Sequence, residues 1–431
     1  MTIKLAELHG RVLDAMAYDF LAYSRYGEIF GEPGRRYFEV LEKQYAFWMT
    51  IMKSMPADMQ EVTPENVWTM KGGGAPSASD LSRRPAVLDA MGVRRQLVTP
   101  AILVHVIPTS TGASAMQPPT PPEGIKAALD LLDAYNEWAA DFTKKYSDRI
   151  RIPGAIATSN FTPGEIATRA GQLIKMGLKM VMIPSKKPPG AVSPADPALD
   201  PFYAQLAEAN VPLLLRGGSQ ALGFRAMETW GKVPDSVYGI EKSNQSANQF
   251  EPDPTNRAAK YPYMLKDAAF LTTTHQAEET FLTAMVIGGV FERHPKLRLG
   301  LLKLGAGWLG PLAERMDRGM PPFMKPTHLP KKPSEYLNRN VRIVPWADGG
   351  DGRGHHPFSD SPYGGDGDEV EPVDLFFQRY PQIQDCFCFA TDYPLDEGGK
   401  WSLRKAYDRV APLGDDIIEK HFIKNAQLLM P

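Results

Sequence analysis

The residues of this chain best suited to chemistry stand at the ends of short apolar runs. The clearest is Asp392, delivered by Cys386-Phe-Cys-Phe-Ala-Thr-Asp and followed by a turn through Tyr-Pro-Leu-Asp-Glu-Gly398. Such a run reads as a buried strand. A carboxylate at its C-terminal end, on a Pro/Gly turn, is how a parallel α/β barrel presents a catalytic acid. Three other runs carry a polar side chain near their ends: 211–216 (VPLLLR) ends in Arg216, 269–275 (AFLTTTH) in His275, and 297–304 (LRLGLLKL) holds Lys303. The Arg216 guanidinium stays charged, and its planar fork suits carboxylates. An imidazole titrates near neutrality and serves as acid or polariser. An ammonium within an apolar run needs a partner, which favours a pocket for Lys303. The plainer alternatives are an Arg216 to Asp392 salt bridge acting as a structural plug, and a satisfied core histidine at 275.

These residues need a scaffold that brings distant strand ends together. Runs too short for helices recur at 11–16, within 96–107, and at 150–158, 179–184, 211–216, 269–275, 297–304 and 386–392. Helical patterns fall between them at 126–146, 164–176, 201–209, 276–291, 309–316 and 402–429. Alternation of this kind favours a parallel sheet, and eight repeats favour closure into a distorted (β/α)8 TIM barrel. The chain of 431 residues, 43% of them hydrophobic, reads as one domain over 1–431, with insertions near 32–80, 223–266 and 348–373. The last holds His355-His356, neighbours in a Gly-rich loop with no fixed shared face, and reads as solvated loop.

Composition narrows the function. A formal net charge of −2, from 48 basic and 50 acidic residues well mixed, leaves no electrostatic footprint for nucleic acid or an anionic membrane. No apolar run approaches the roughly 18 residues of a membrane span, and the N-terminal residues lack a signal-like apolar core. A soluble, cytoplasmic protein acting on a small molecule is expected. Cys386 and Cys388, two apart on one expected strand, are poorly placed to bridge and read as reduced core thiols. The aromatic stretch 37–48 would bury well against a second subunit, so a homodimer is expected. Gly72-Gly-Gly74 opens no phosphate cradle, no GxGxxG is present, and no Cys/His spacing suggests zinc.

Several motifs together resemble the amidohydrolase superfamily, in the amidohydrolase 2 branch, which includes decarboxylases and ring-cleavage hydrolases. They are Arg84-Pro-Ala-Val-Leu-Asp-Ala-Met-Gly-Val93, Tyr135-Asn-Glu-Trp138, Asp200-Pro-Phe-Tyr-Ala204, Gly288-Gly-Val-Phe-Glu-Arg-His-Pro-Lys-Leu297, Gly305-Ala-Gly-Trp308, Thr391-Asp-Tyr-Pro394 and Asn425-Ala426. The resemblance implies a divalent metal held by an acid/His element after strand one, a His after strand five, often a His after strand six, and an Asp after strand eight. This chain departs from that pattern. Strand one reads Asp14-Ala-Met16-Ala-Tyr18, the strand-five position is Arg216, and Lys303 stands where an acid late in strand seven is common. A thioether, a phenol and permanent cations suit a divalent ion poorly. The expected enzyme is therefore metal-independent and hydrolyses a small anionic, aromatic or alicyclic metabolite, with no cofactor; one zinc or manganese ion is the alternative. Asp392 acts as base and His275 as acid or polariser, while Arg216, Lys303 and Tyr18 contact substrate. A decarboxylase or other C–C lyase is the second reading. A non-catalytic ligand-binding homologue is the third.

Overall fold

Strand order in this molecule follows chain order all the way round. The structure, a computed structural model, describes residues 3–21, 23–44, 60–110, 122–185, 187–216, 275–318, 328–345, 373–395 and 400–431. The insertions expected at 223–266 and 348–373 lie outside the described residues but for Val373, as does most of the expected strand 269–275. Three strands, β1 Val12–Tyr18, β2 Val93–Thr99 and β3 Ile150–Arg151, form one parallel sheet. Five more form the second, also parallel: β4 Gly154–Ala155, β5 Val181–Ile183, β6 Leu213–Arg216, β7 Leu299–Leu302 and β8 Val341–Ile343.

The two sheets are parts of one barrel. β3 and β4 are halves of a single wall position interrupted at Ile152-Pro153, where proline has no N–H for the ladder. The helix Pro122–Tyr146 repairs this break. Asn136 donates to the Ala155 carbonyl at 2.9 Å and accepts from the Ala155 amide at 2.8 Å, while Tyr135 donates to the Pro153 carbonyl at 2.7 Å. The Tyr135-Asn136 pair thus satisfies backbone groups that would otherwise be buried without partners. The eighth position is the extended segment 387–391. Phe387 bridges Ile343 in parallel, and the Cys388 amide donates to the Ile343 carbonyl at 3.0 Å. On its other side, the Ala15 amide donates to Phe389 (2.9 Å) and the Asp392 amide to Met16 (3.1 Å). The ring closes on β1, giving eight parallel positions, an α/β TIM barrel.

The closure corrects the strand assignment. β6 pairs directly with β7, in register from Leu213 opposite Leu299 to Arg216 opposite Leu302, so these two are neighbours in the barrel wall. β7 is therefore the sixth barrel position, and the seventh is Val341–Ile343, absent from the expected set. That strand is three residues long and follows the helix Pro333–Asn340 without a turn, so no bounded apolar run announces it. His275 is itself the N-cap of the helix Gln276–Ile287 rather than a strand residue. The expected strand 386–392 starts later, because Cys386 closes the 3-10 helix Pro381–Cys386.

Hydrophobic burial is continuous through the wall. All seven residues of β1 are buried, as parallel strands covered on both faces require. Local signals place the covering helices. Pro163–Lys175 begins with the Thr162/Glu165 capping box and a proline in its first turn, and Arg84–Met91 ends at Gly92 with φ 75°, a left-handed cap that disfavours a side chain. Asp200, at the start of Asp200–Glu208, pairs with Arg293 (3.0 Å) and His294 (2.8 Å), which locks two sequence motifs together. Among the described residues, no helix is long and apolar enough to cross a membrane.

Candidate active site

Two residues at the C-terminal ends of barrel positions adopt backbone conformations that side chains avoid. Lys303, one residue past β7, has φ 58°, and Asp392, at the end of the eighth position, has φ 53°. Each such conformation costs on the order of 1–3 kcal/mol and persists where the surroundings dictate it. Here the two strained residues meet: Lys303 Nζ donates to Asp392 Oδ2 at 2.5 Å, with side chains only 7% and 1% exposed. The pairing explains how an ammonium is tolerated at the end of an apolar strand.

Tyr18, the last residue of β1, joins them. The Lys303 ammonium lies 5.5 Å from the centre of its ring, and the Arg216 guanidinium, at the end of β6, lies 4.9 Å from the same centre. Both fall within reach of a cation–π attraction. Burial pushes the Tyr18 phenol above its ordinary range; the charges of Arg216 and Lys303 oppose that rise. Side chains from the first, fifth, sixth and eighth barrel positions thus converge on one mouth, where a closed parallel barrel assembles a site. Lys303 was expected after a seventh strand. It follows the sixth, so it stands where the family resemblance implies a histidine ligand.

His275 is placed differently. Its ring stacks on Trp308 with centroids 5.4 Å apart and planes 11° from parallel, and its Nε2 lies 3.1 Å from Glu279, which also pairs with Arg315. Trp308 in turn donates to the Gly305 carbonyl at 3.1 Å. The described contacts of His275 run to this loop and helix rather than to the Lys303 to Asp392 pair.

A second polar group lies in the wall beside the mouth. Asp14 Oδ1 accepts from the amides of Thr391 (2.9 Å) and Met16 (3.3 Å); Oδ2 accepts from Thr391 Oγ1 (2.5 Å) and Gln96 Nε2 (2.7 Å). Burial raises the Asp14 carboxyl above its ordinary range, and these bonds pull against it. Gln96 Oε1 accepts from Arg84 (2.8 Å), which also donates to the carbonyls of Tyr18 (2.9 Å) and Ser77 (3.0 Å). Arg84, Gln96, Asp14 and Thr391 form one chain tying the first, second and eighth positions behind the site. Other buried acids went unmarked in the sequence reading. Asp19 accepts from the Ala101 amide at 2.7 Å, and burial pushes its carboxyl up to about 6. Glu278, fully buried, accepts from Ser185 at 2.5 Å. The available signal was a charge inside an otherwise apolar pattern. Cys386 and Cys388 are buried free thiols, which burial pushes up to about 12.

A family model described as amidohydrolase matches residues 109–429, about three-quarters of the chain. The chain belongs to the amidohydrolase family. Among solved structures, an amidohydrolase from Mycobacterium avium subsp. paratuberculosis is 20% identical, covering 83% of this chain and 74% of its own, with TM-score 0.53. A 5-carboxyvanillate decarboxylase from Sphingomonas paucimobilis is 14% identical (97% and 98% covered, TM-score 0.53). Another from Novosphingobium aromaticivorans, complexed with manganese and 4-hydroxy-3-methoxy-5-nitrobenzoic acid, is 18% identical (100% and 99%, TM-score 0.53). At these identities the likeness is one of fold. No curated protein matches the chain.

The donor set at this mouth does not suit the divalent metal that the resemblance implies. Such an ion wants carboxylate oxygens and neutral imidazoles. Here the corresponding positions carry Met16 and Tyr18, Arg216, Lys303 and Asp392, and the carboxylate already holds an ammonium on Oδ2. Asp14, the acid of the strand-one element, has both oxygens engaged by Thr391, Gln96 and Met16. Among the described residues, no group of three or more His, Cys, Asp or Glu could hold a metal ion.

Proposed function

We propose that this amidohydrolase is a carboxy-lyase acting on a small ring-bearing carboxylate. The observation that carries the reading is the buried Lys303 to Asp392 ion pair, set with Arg216 against the ring of Tyr18. Arg216 receives the substrate carboxylate through its fork. Tyr18 offers a flat face to the ring. The carbon to carboxylate bond breaks, its electron pair stays on the ring carbon, carbon dioxide leaves, and the carbon takes a proton from the Lys303 to Asp392 pair, which solvent then replenishes. The similar folds of two decarboxylases support this reading as analogy only.

Hydrolysis, the first reading of the sequence, uses the same residues differently. It requires Asp392 to activate a water, yet Oδ2 is engaged by an ammonium, so water must displace Lys303 or use the other oxygen. For that reason hydrolysis ranks second here. The isotopic outcome separates the two. In deuterated water, a panel of small hydroxylated aromatic and alicyclic carboxylates should give product with deuterium on carbon and release carbon dioxide. Incorporation of labelled oxygen from water into the product of an amide or lactone, without loss of carbon dioxide from any acid, would overturn the proposal. Substrate anionicity is tested by Arg216→Met, which should raise KM for carboxylates at least tenfold more than for their amides.

A further inference from the structure

We infer that Lys303 is the resident cation of this mouth, a built-in ammonium that draws a substrate carboxylate or phenolate oxygen to the side of Asp392 in place of a divalent metal. The inference deepens the proposed function and rests on its reading of the mouth as the substrate site. Three independent observations converge on it. Barrel order places Lys303 after the sixth position and Asp392 after the eighth, on the same end of a closed ring. The contact between them is a direct 2.5 Å ion pair in a buried setting, so the positive charge lies where the carboxylate points. Both residues hold left-handed backbone conformations that favour glycine, and strain of this sort is retained where the arrangement it produces is used.

The chemistry fits the role. An ammonium carries one charge and three donors on a flexible stem, so it is chemically able to serve Asp392 and a substrate oxygen from one position. Arg216, on the same aromatic ring, adds the second positive charge that a divalent ion would supply alone. Tyr18 gives both cations a polarizable face without adding a formal negative charge. A metal ion approaching Asp392 Oδ2 meets the Lys303 ammonium first, and the two repel strongly in a partly desolvated site.

The test needs no turnover. Purified chain is analysed for zinc, manganese and iron, then titrated with manganese chloride while free ion is followed by its paramagnetic resonance. In parallel, binding of 2-hydroxybenzoate and of its neutral amide is measured for the wild type, Lys303→Met, Lys303→Arg and the charge-free pair Lys303→Met/Asp392→Asn. Far less than one equivalent of metal is expected. Lys303→Met should bind 2-hydroxybenzoate roughly tenfold or more weakly, with little change for the amide, and Lys303→Arg should recover part of the loss. If Lys303→Met alone does not fold, the double variant, which also lacks the Asp392 charge, should still bind 2-hydroxybenzoate more weakly than wild type, by less than the single variant would. About one equivalent of metal in the wild type, lost in Asp392→Asn, would overturn the inference, as would equal 2-hydroxybenzoate binding with and without Lys303. If these binding results hold while no acid is decarboxylated, the reaction proposed above fails and Lys303 keeps its role.

Discussion

Asp14 and Asp392 are buried carboxylates on adjoining positions of one barrel wall, and they are held in opposite ways. Asp14 is gripped by neutral donors: the hydroxyl and amide of Thr391, the Gln96 amide group and the Met16 amide. Those donors are short and attached to three different barrel positions, so their bonds fix geometry. Asp392 faces an ammonium at the tip of a four-carbon stem, on a backbone bent into the left-handed region. A flexible cation can turn to a new oxygen, whereas a threonine locked in the wall cannot. On the function proposed above, the difference separates a carboxylate that holds the barrel together from one that works on a ligand.

Catalysis offers the largest effect with which to break that comparison. Asp392→Asn should lower turnover by about 10³-fold, in the range for removing a positioned acid or base. Asp14→Asn should lower the melting temperature while the folded fraction keeps a near-normal kcat. The opposite pattern, lost turnover in Asp14→Asn at unchanged stability, would reassign chemistry to the wall.

Stability provides the next contrast. Removing one member of the mouth pair strands a buried charge, at a cost of about 3–5 kcal/mol, but replacing both by Lys303→Met/Asp392→Leu should return stability close to wild type or above it. In the wall, Asp14→Leu strands the donors of Thr391 and Gln96 together, and each buried unsatisfied group costs about 1–3 kcal/mol. Adding Gln96→Leu removes one stranded donor but takes the acceptor from Arg84, so it should restore no stability. Urea melts of both cycles check this. Equal rescue in the two would mean that the networks do not differ in kind.

Much of this was legible in the residues themselves. Asp392, Lys303 and Arg216 stand out as charges closing apolar runs, and the motif around Tyr135 and Asn136 is visible in the sequence although its duty at the Pro153 break is not. The strand count was not fully legible. Ala-Phe-Leu-Thr-Thr-Thr at 269–274 has the β-branched composition of a strand, while the true seventh strand, Val341–Ile343, is too short to show a period. Its identity is set by pairing with β7, a non-local fact. That one exchange moved Lys303 from the seventh position to the sixth. The Arg84, Gln96, Asp14 and Thr391 chain is hidden in the sequence for a similar reason: Asp14 and Thr391 stand 377 positions apart, and only barrel closure makes them neighbours.

The smallest effect sharpens the comparison at the level of single protons. Asp19, just past β1, and His421, behind the eighth position among Phe377, Phe389 and Phe422, are both buried and shifted toward neutrality by burial. Asp19 rises to about 6 from an ordinary 3.8. The folded carboxyl keeps a proton that the unfolded chain has released, so its stabilising contribution is full below 3.8 and is lost as pH climbs through 6. His421 falls to about 4 from 6.5. The folded ring stays neutral where the unfolded one is protonated, so stability drops as pH descends from 6.5 toward 4. The two slopes oppose each other over nearly the same interval, each worth about 3 kcal/mol across it. Asp14, also raised by burial, adds to the Asp19 sign. In Asp19→Asn, which keeps an acceptor for the Ala101 amide, the stability change relative to wild type should therefore grow more favourable as pH rises from about 4 to about 6, then level off. In His421→Phe the relative stability should grow more favourable as pH falls over the same range. Urea melts at about pH 4, 5, 6 and 7 on the three proteins read both differences. Parallel curves for Asp19→Asn and wild type would show that the Asp19 carboxyl titrates in the folded barrel as it does in the unfolded chain, and the wall would then hold a charge at about pH 5 where a neutral acid is expected.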